Sequence, residues 1–133
     1  MSLELETQKR LIGVWRLLEW TAIFADGREK PPFGPGATGQ LIYDAHGVMS
    51  GFLQSASAKG PNWSAFLSYS GPWRIEADEV VHHVAFSSRA DFFGTDLRRT
   101  IMWQADGNLE LTTKPEPTPS GRSFYYRLVW ERA

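Results

Sequence analysis

From residue 14 onward the chain alternates apolar and polar positions in short runs separated by turn residues, the period of half-buried strands. Only the start departs from this. Residues 3–12 (LELETQKRLI) set Leu3, Leu5, Leu11 and Ile12 among charged residues, which predicts a short amphipathic helix ended by Gly13. Strands are then predicted over 14–24, 40–44, 48–54, 65–76, 79–88, 95–104, 108–114 and 122–132. Their punctuation is Asp26-Gly27, the Pro/Gly loop 31–39, Ala45-His46-Gly47, the loop 55–64, Ala77-Asp78, the loop 89–94, Asp106-Gly107 and the Pro-rich loop 115–121. Gly71-Pro72 inside one strand predicts a bulge, and the small residues of 55–64 suit a flap over an opening.

About eight strands with hairpin-length connections and no βαβ spacing predict an all-β, up-and-down antiparallel barrel with a short N-terminal helix, one domain over 1–133. Closure removes the edges that a small sheet must otherwise protect.

Composition narrows the function more than the fold. Six Trp, four Tyr and eight Phe are enough to line a cavity as well as fill a core. A net charge of −1 without a basic stripe gives nucleic-acid binding no support. The absence of cysteine removes disulfides, thiol catalysis and cysteine-held metal, and fits a reducing compartment. The N-terminus carries no signal-peptide pattern and no apolar run approaches a membrane span, so a cytoplasmic protein is expected. No cofactor is expected: Gly34-Pro35-Gly36-Ala37-Thr38-Gly39 has dinucleotide-loop spacing but lacks the strand before it and the helix after it.

The pieces LIGVWRLLEW, TGQLIYDAHGVMSG, LSYSGPWRIEADEVVHHVAFS, FFGTDLRRTIMW and YYRLVWER together resemble the bacterial and fungal lipocalin-like domain proteins of the lipocalin (calycin) superfamily. Gly13-Val14-Trp15 is similar to that superfamily's G-x-W start. The resemblance implies an eight-stranded barrel with Trp15 at its closed end, covered by an arginine from the last strand. By alternation Phe124, Tyr126, Leu128, Trp130 and Arg132 share one face, so Arg132 is the candidate. Gly13, Trp15 and Arg132 are therefore structural candidates. The family supplies no single activity to carry over.

Candidates for a pocket follow from alternation. Leu41 and Tyr43 share a face, as do Met49, Gly51 and Leu53, and also Leu67, Tyr69, Gly71, Trp73 and Ile75. His82 and His83 point to opposite faces, so they do not share a metal, and no metal site is expected. Val80, His82, Val84 and Phe86 make the more apolar face, which places His82 inside; a polar pocket lining would place His83 there instead. Arg99 shares a face with Leu97, Ile101 and Trp103, while Arg98 takes the other. A buried arginine needs a partner, either a ligand carboxylate or an internal Glu19 or Asp96. Tyr43, Tyr69 and Tyr126 offer hydroxyls.

These candidates support three functions. The first is binding of a small hydrophobic molecule, its body against Tyr69, Trp73 and Trp103, its polar group held by His82 and Arg99; this requires a cavity of ~300 Å³ or more. The second is a cofactor-free isomerase, cyclase or dehydratase with His82 or His83 as acid/base and Tyr69 as donor. The third is a structural or dimerising module using Trp20, Phe24, Phe92 or Phe93 as an exposed patch.

Overall fold

A computed structural model describes residues 2–57, 65–117 and 123–133; most of the predicted flap, 58–64, and part of the Pro-rich loop lie outside them. The helix α1 (Leu3–Leu11) is capped by Ser2, whose side chain accepts from Leu5 N at 3.1 Å. Glu4 and Glu6 lie in its first turn and Lys9 and Arg10 in its last, the charge order that suits a helix dipole. Its one buried residue is Leu11.

Eleven strands follow: β1 (Gly13–Phe24), β2 (Glu29–Lys30), β3 (Thr38–Tyr43), β4 (Val48–Gln54), β5 (Phe66–Glu76), β6 (Glu79–His83), β7 (Phe86–Ser87), β8 (Asp96–Trp103), β9 (Leu109–Thr112), β10 (Glu116–Pro117) and β11 (Ser123–Arg132). Eight of them form the closed antiparallel barrel in the order β11-β9-β8-β6-β5-β4-β3-β1, and β11 returns to β1. The short β2, β7 and β10 extend its rim.

One end is sealed by α1. Trp15 is buried and its indole N–H donates to Leu11 O at 2.9 Å. Arg132, paired with Trp15 across the β1–β11 seam, stacks its guanidinium 4.2 Å from the Trp15 ring centroid. The same guanidinium donates to Ile12 O at 2.9 Å and to Arg10 O. Three carbonyls at the helix C-terminus, which have no partner inside the helix, are thus met by two barrel side chains. Gly13 makes room: its φ is +133°, and a Cβ there would stand 2.7 Å from the arginine Nη1.

Two irregularities shift the inward face. In β1 the pairing passes from Leu17↔Trp130 to Glu19↔Val129, leaving Leu18 as an extra residue. Leu17 and Trp20 therefore both face inward, and Trp20 is buried although it was expected on the surface. The second sits where a bulge was expected, but the extra residue is on the other strand. Gly71 and Pro72 of β5 lie opposite His83, Val84 and Ala85, between the pairs Trp73↔His82 and Ser70↔Phe86. The predicted strand 79–88 is thereby split, and Phe86 turns outward to 70% exposure instead of continuing the His82 face. Of the expected surface patch only Phe93 is well exposed; Phe24 packs on Phe124 and Phe92 on Tyr69.

Gly71→Ala should destabilise the fold by about 3 kcal/mol or more in urea unfolding, since its Cβ would land on His83 O and 2.9 Å from Ala85 N. Arg132→Met keeps the stem but loses the cation–π contact and both carbonyl bonds. A loss of about 2–3 kcal/mol is expected in the same assay, with Arg132→Lys intermediate.

Candidate functional site

Between the sealed end and the open rim the barrel holds a cavity of about 360 Å³. Apolar wall comes from inward positions on successive strands: Leu41 on β3, Leu53 on β4, Leu67 on β5, Leu111 on β9 and Leu128 on β11. Phe33, Phe52, Phe66 and Phe92 border it toward the rim, where the loop after β2, the ends of β4 and β5, and a short 3-10 turn (Ala90–Phe92) meet.

The polar part is small. His82 on β6 is 1% exposed and both of its ring nitrogens are engaged. Tyr43 Oη lies 2.6 Å from Nε2 and Tyr69 Oη 2.9 Å from Nδ1. Burial, and then the positive charge of Arg99, lower the His82 pKa to about 3, so the imidazole is neutral. Burial likewise raises both tyrosines, that of Tyr43 well above its ordinary value, so both are phenols. A neutral imidazole has one donor and one acceptor. Tyr43 is buried, and His82 is the only hydrogen-bond partner of its hydroxyl among the described residues. The arrangement that leaves no buried O–H unmet has Tyr43 donating to Nε2 and Nδ1–H donating to Tyr69 Oη. The Tyr69 proton is then free to meet a group in the cavity.

Arg99 reaches the same place from β8. Its charge and hydrogen bonding draw the Tyr69 pKa back down against burial. Its Nη1 donates to Arg98 O at 3.0 Å, and no carboxylate among the described residues stands within ion-pair distance of it. The two expected internal partners are outside the barrel: Glu19 pairs with Arg127 at 2.7 Å, and Asp96 with Arg74 at 3.2 Å and His83 at 2.8 Å. Arg98 also lies outside, with Glu76 and Glu79.

The cavity thus brings together Tyr69, His82, Arg99 and Tyr126. Tyr43 stands behind His82 and does not line it. The other three sequence candidates are elsewhere. His83, one position from His82, faces outward to Asp96. Trp73 packs on Tyr43 at 4.8 Å with its N–H directed to Asp44 O, below the cavity. Trp103 belongs to the sealed end, 6.0 Å from Trp15 and under the Arg10 guanidinium at 3.8 Å. Both tryptophans face inward as alternation requires, but at levels where the barrel is filled. Trp20, Arg89, Phe92 and Thr113 also line the cavity. Trp20 was hidden by the Leu18 bulge, Arg89 and Phe92 lie in a loop where alternation gives no signal, and Thr113 continues the inward face of Leu109 and Leu111 in the predicted strand 108–114.

No histidine offers a ring nitrogen to the cavity: His83 is outside and both nitrogens of His82 are taken by tyrosines. The site can donate hydrogen bonds and positive charge. Among the described lining residues there is no Asp, Glu, Asn or Gln to accept.

His82 ties stability to pH. The unfolded chain binds a proton near pH 6.5 and the folded one only near 3, so stability is complete above pH 6.5 and falls as pH drops through that interval. Urea unfolding should show a loss of about 2 kcal/mol between pH 7 and pH 5. His82→Gln should flatten that slope.

No helix among the described residues is long and apolar enough to cross a membrane. No curated protein matches the chain. Residues 12–65, which run from the end of α1 through β4 and the loop after it, match the family model described as a lipocalin-like domain. The remaining strands close the barrel that this segment begins, an architecture consistent with a lipocalin-like protein.

Proposed function

We propose that this protein binds a small, largely apolar molecule carrying one anionic group, held inside the barrel with the anion at Arg99 and Tyr69. The observation that carries this reading is Arg99 itself: a cation inside a cavity of about 360 Å³, without a carboxylate partner, beside a hydroxyl whose proton is free to be donated. An arginine in such surroundings is costly unless a negative charge joins it. A carboxylate is the simplest group that accepts from both the guanidinium fork and the phenol. The leucine and phenylalanine walls suit an aliphatic or aromatic body, and the cavity lies at the small end of the range for ligand sites.

The chain Tyr43–His82–Tyr69 serves this reading as a support. It fixes the Tyr69 hydroxyl, and it stays neutral, so that the positive charge in this part of the cavity comes from Arg99.

The reading is tested by displacement of a fluorescent anilinonaphthalene sulfonate dye with decanoate, decanol and decylamine. Decanoate should bind at least tenfold more tightly than the amine, and Arg99→Met should weaken decanoate by roughly 10- to 100-fold with little effect on decanol. Equal affinity for the three head groups, or no binding by any, would remove the proposal.

A further inference from the structure

The cavity wall holds a second set of unmet donors, one toward the rim and one toward the floor. Trp20 and Trp130 both line the cavity, both are more than nine-tenths buried, and neither indole nitrogen has a hydrogen-bond partner among the described residues. Buried N–H groups without acceptors are rare in folded proteins, because each forfeits its hydration without replacement. The other two buried indoles among the described residues follow the rule: Trp15 donates to Leu11 O and Trp73 to Asp44 O. The two exceptions are both on the cavity wall.

They differ in position. Trp20 is wedged between Phe33, at 4.6 Å, and Tyr126, at 5.6 Å, on the rim side. Trp130 pairs with Leu17 on one side and Leu109 on the other, next to the sealed end. Register gives its distance from the anion site. Thr100 pairs with Thr112, and Thr112 with Arg127, which sets Arg99 level with Tyr126. Trp130 is four residues further along β11, about 13 Å toward the floor at the rise of a strand. Both nitrogens are covered, from the cavity as well as from solvent, so an acceptor inside the cavity meets either N–H only after a small turn of its ring.

Resting on the reading above, we infer that the natural ligand is two-headed: an apolar carboxylate that also carries a neutral acceptor oxygen, such as a ketone, ester or ether, at its distal end, received by the Trp130 indole N–H. A simple fatty acid would fill the cavity and leave Trp130 unmet. A second carboxylate at the floor is disfavoured, since Trp130 is a single neutral donor there and brings no positive charge. The site therefore distinguishes its two poles, charge at Arg99 and a neutral acceptor at Trp130.

The experiment compares octanoate, decanoate and dodecanoate with their (ω−1)-oxo counterparts by isothermal titration, on the wild type and on Trp130→Phe, which keeps an aromatic ring and removes the donor. At one chain length the wild type should prefer the oxo acid by roughly five- to tenfold, the worth of one neutral hydrogen bond. Trp130→Phe should lose the preference, its ratio of oxo-acid to plain-acid affinity falling to about one whatever its affinity for the plain acid. A wild type without preference at every length, or a preference that survives in Trp130→Phe, overturns the inference and leaves the anion reading standing. Failure of every acid to bind overturns both. Should the variant not fold, the wild type decides with ¹⁵N-labelled indoles. The Trp130 Nε1–H resonance should move downfield with the oxo acid and not with the plain acid, and identical spectra for the two overturn the inference.

Discussion

The contact on which the rest of this structure depends is the meeting of Trp15 and Arg132 across the seam between the first and last strands. It fixes the register of the closing pair, covers the buried indole, and ties the C-terminal carbonyls of α1 to the barrel. A ring of eight strands has only one pairing that no hairpin enforces, and here that pairing carries a charged side chain stacked on an aromatic face with its hydrogen bonds spent on backbone oxygens. With that end filled by Leu11, Trp15, Trp103 and Leu109, the unfilled volume lies toward the rim.

The cavity is polar in one direction only. Proton donors face it from Arg99, Tyr69 and the tyrosine–histidine chain behind, while the carboxylates of the neighbouring strands point outward into surface ion pairs. This sorting follows from the two faces of a strand. Arg98 and Arg99 are adjacent, so one joins Glu76 and Glu79 outside and the other is left among leucines and phenols. His82 and His83 divide in the same way, one becoming a neutral hydrogen-bond bridge and the other a surface partner of Asp96. Burial supplies the neutrality of the bridge, so His82 adds no positive charge beside Arg99.

Much of the frame was legible in the sequence. Period-two alternation located the principal strands, and the face of the last strand from Phe124 to Arg132 was read correctly, as was Arg132 over Trp15 through the resemblance. Alternation also grouped Tyr69, Arg99 and Tyr126 with inward-reading neighbours, and left His82 and His83 as alternatives of which His82 is the inner one. It failed at Trp20 and Phe86, in each case because one extra residue reverses parity, at Leu18 and between His83 and Ala85. It was silent on depth. Trp73 and Trp103 face inward like Tyr69, yet they sit where helix and floor side chains have filled the barrel, and nothing in a strand's own pattern tells how far along the axis the filling extends. Arg89 and Phe92, in the loop before β8, left no periodic trace, whereas Thr113, just past β9, continues the alternation of Leu109 and Leu111.

The seam also governs how the molecule must assemble. Hairpins from β3 to β9 join neighbours in sequence, but β1 and β11 pair residues a hundred or more positions apart, and the loop entropy of bringing them together is spent before their contacts form. Until then the chain presents two long unpaired edges, one on each side of an open, aromatic-rich sheet, and such edges invite pairing between molecules. Arg16 on β1 and Arg127 and Glu131 on β11 place charge along those edges. In the finished barrel they are surface ion pairs of small worth, and β1 of one copy meeting β11 of another would form the same complementary pairs. The residues that mark the seam in the native state thus mark it equally for the matching strand of a second copy.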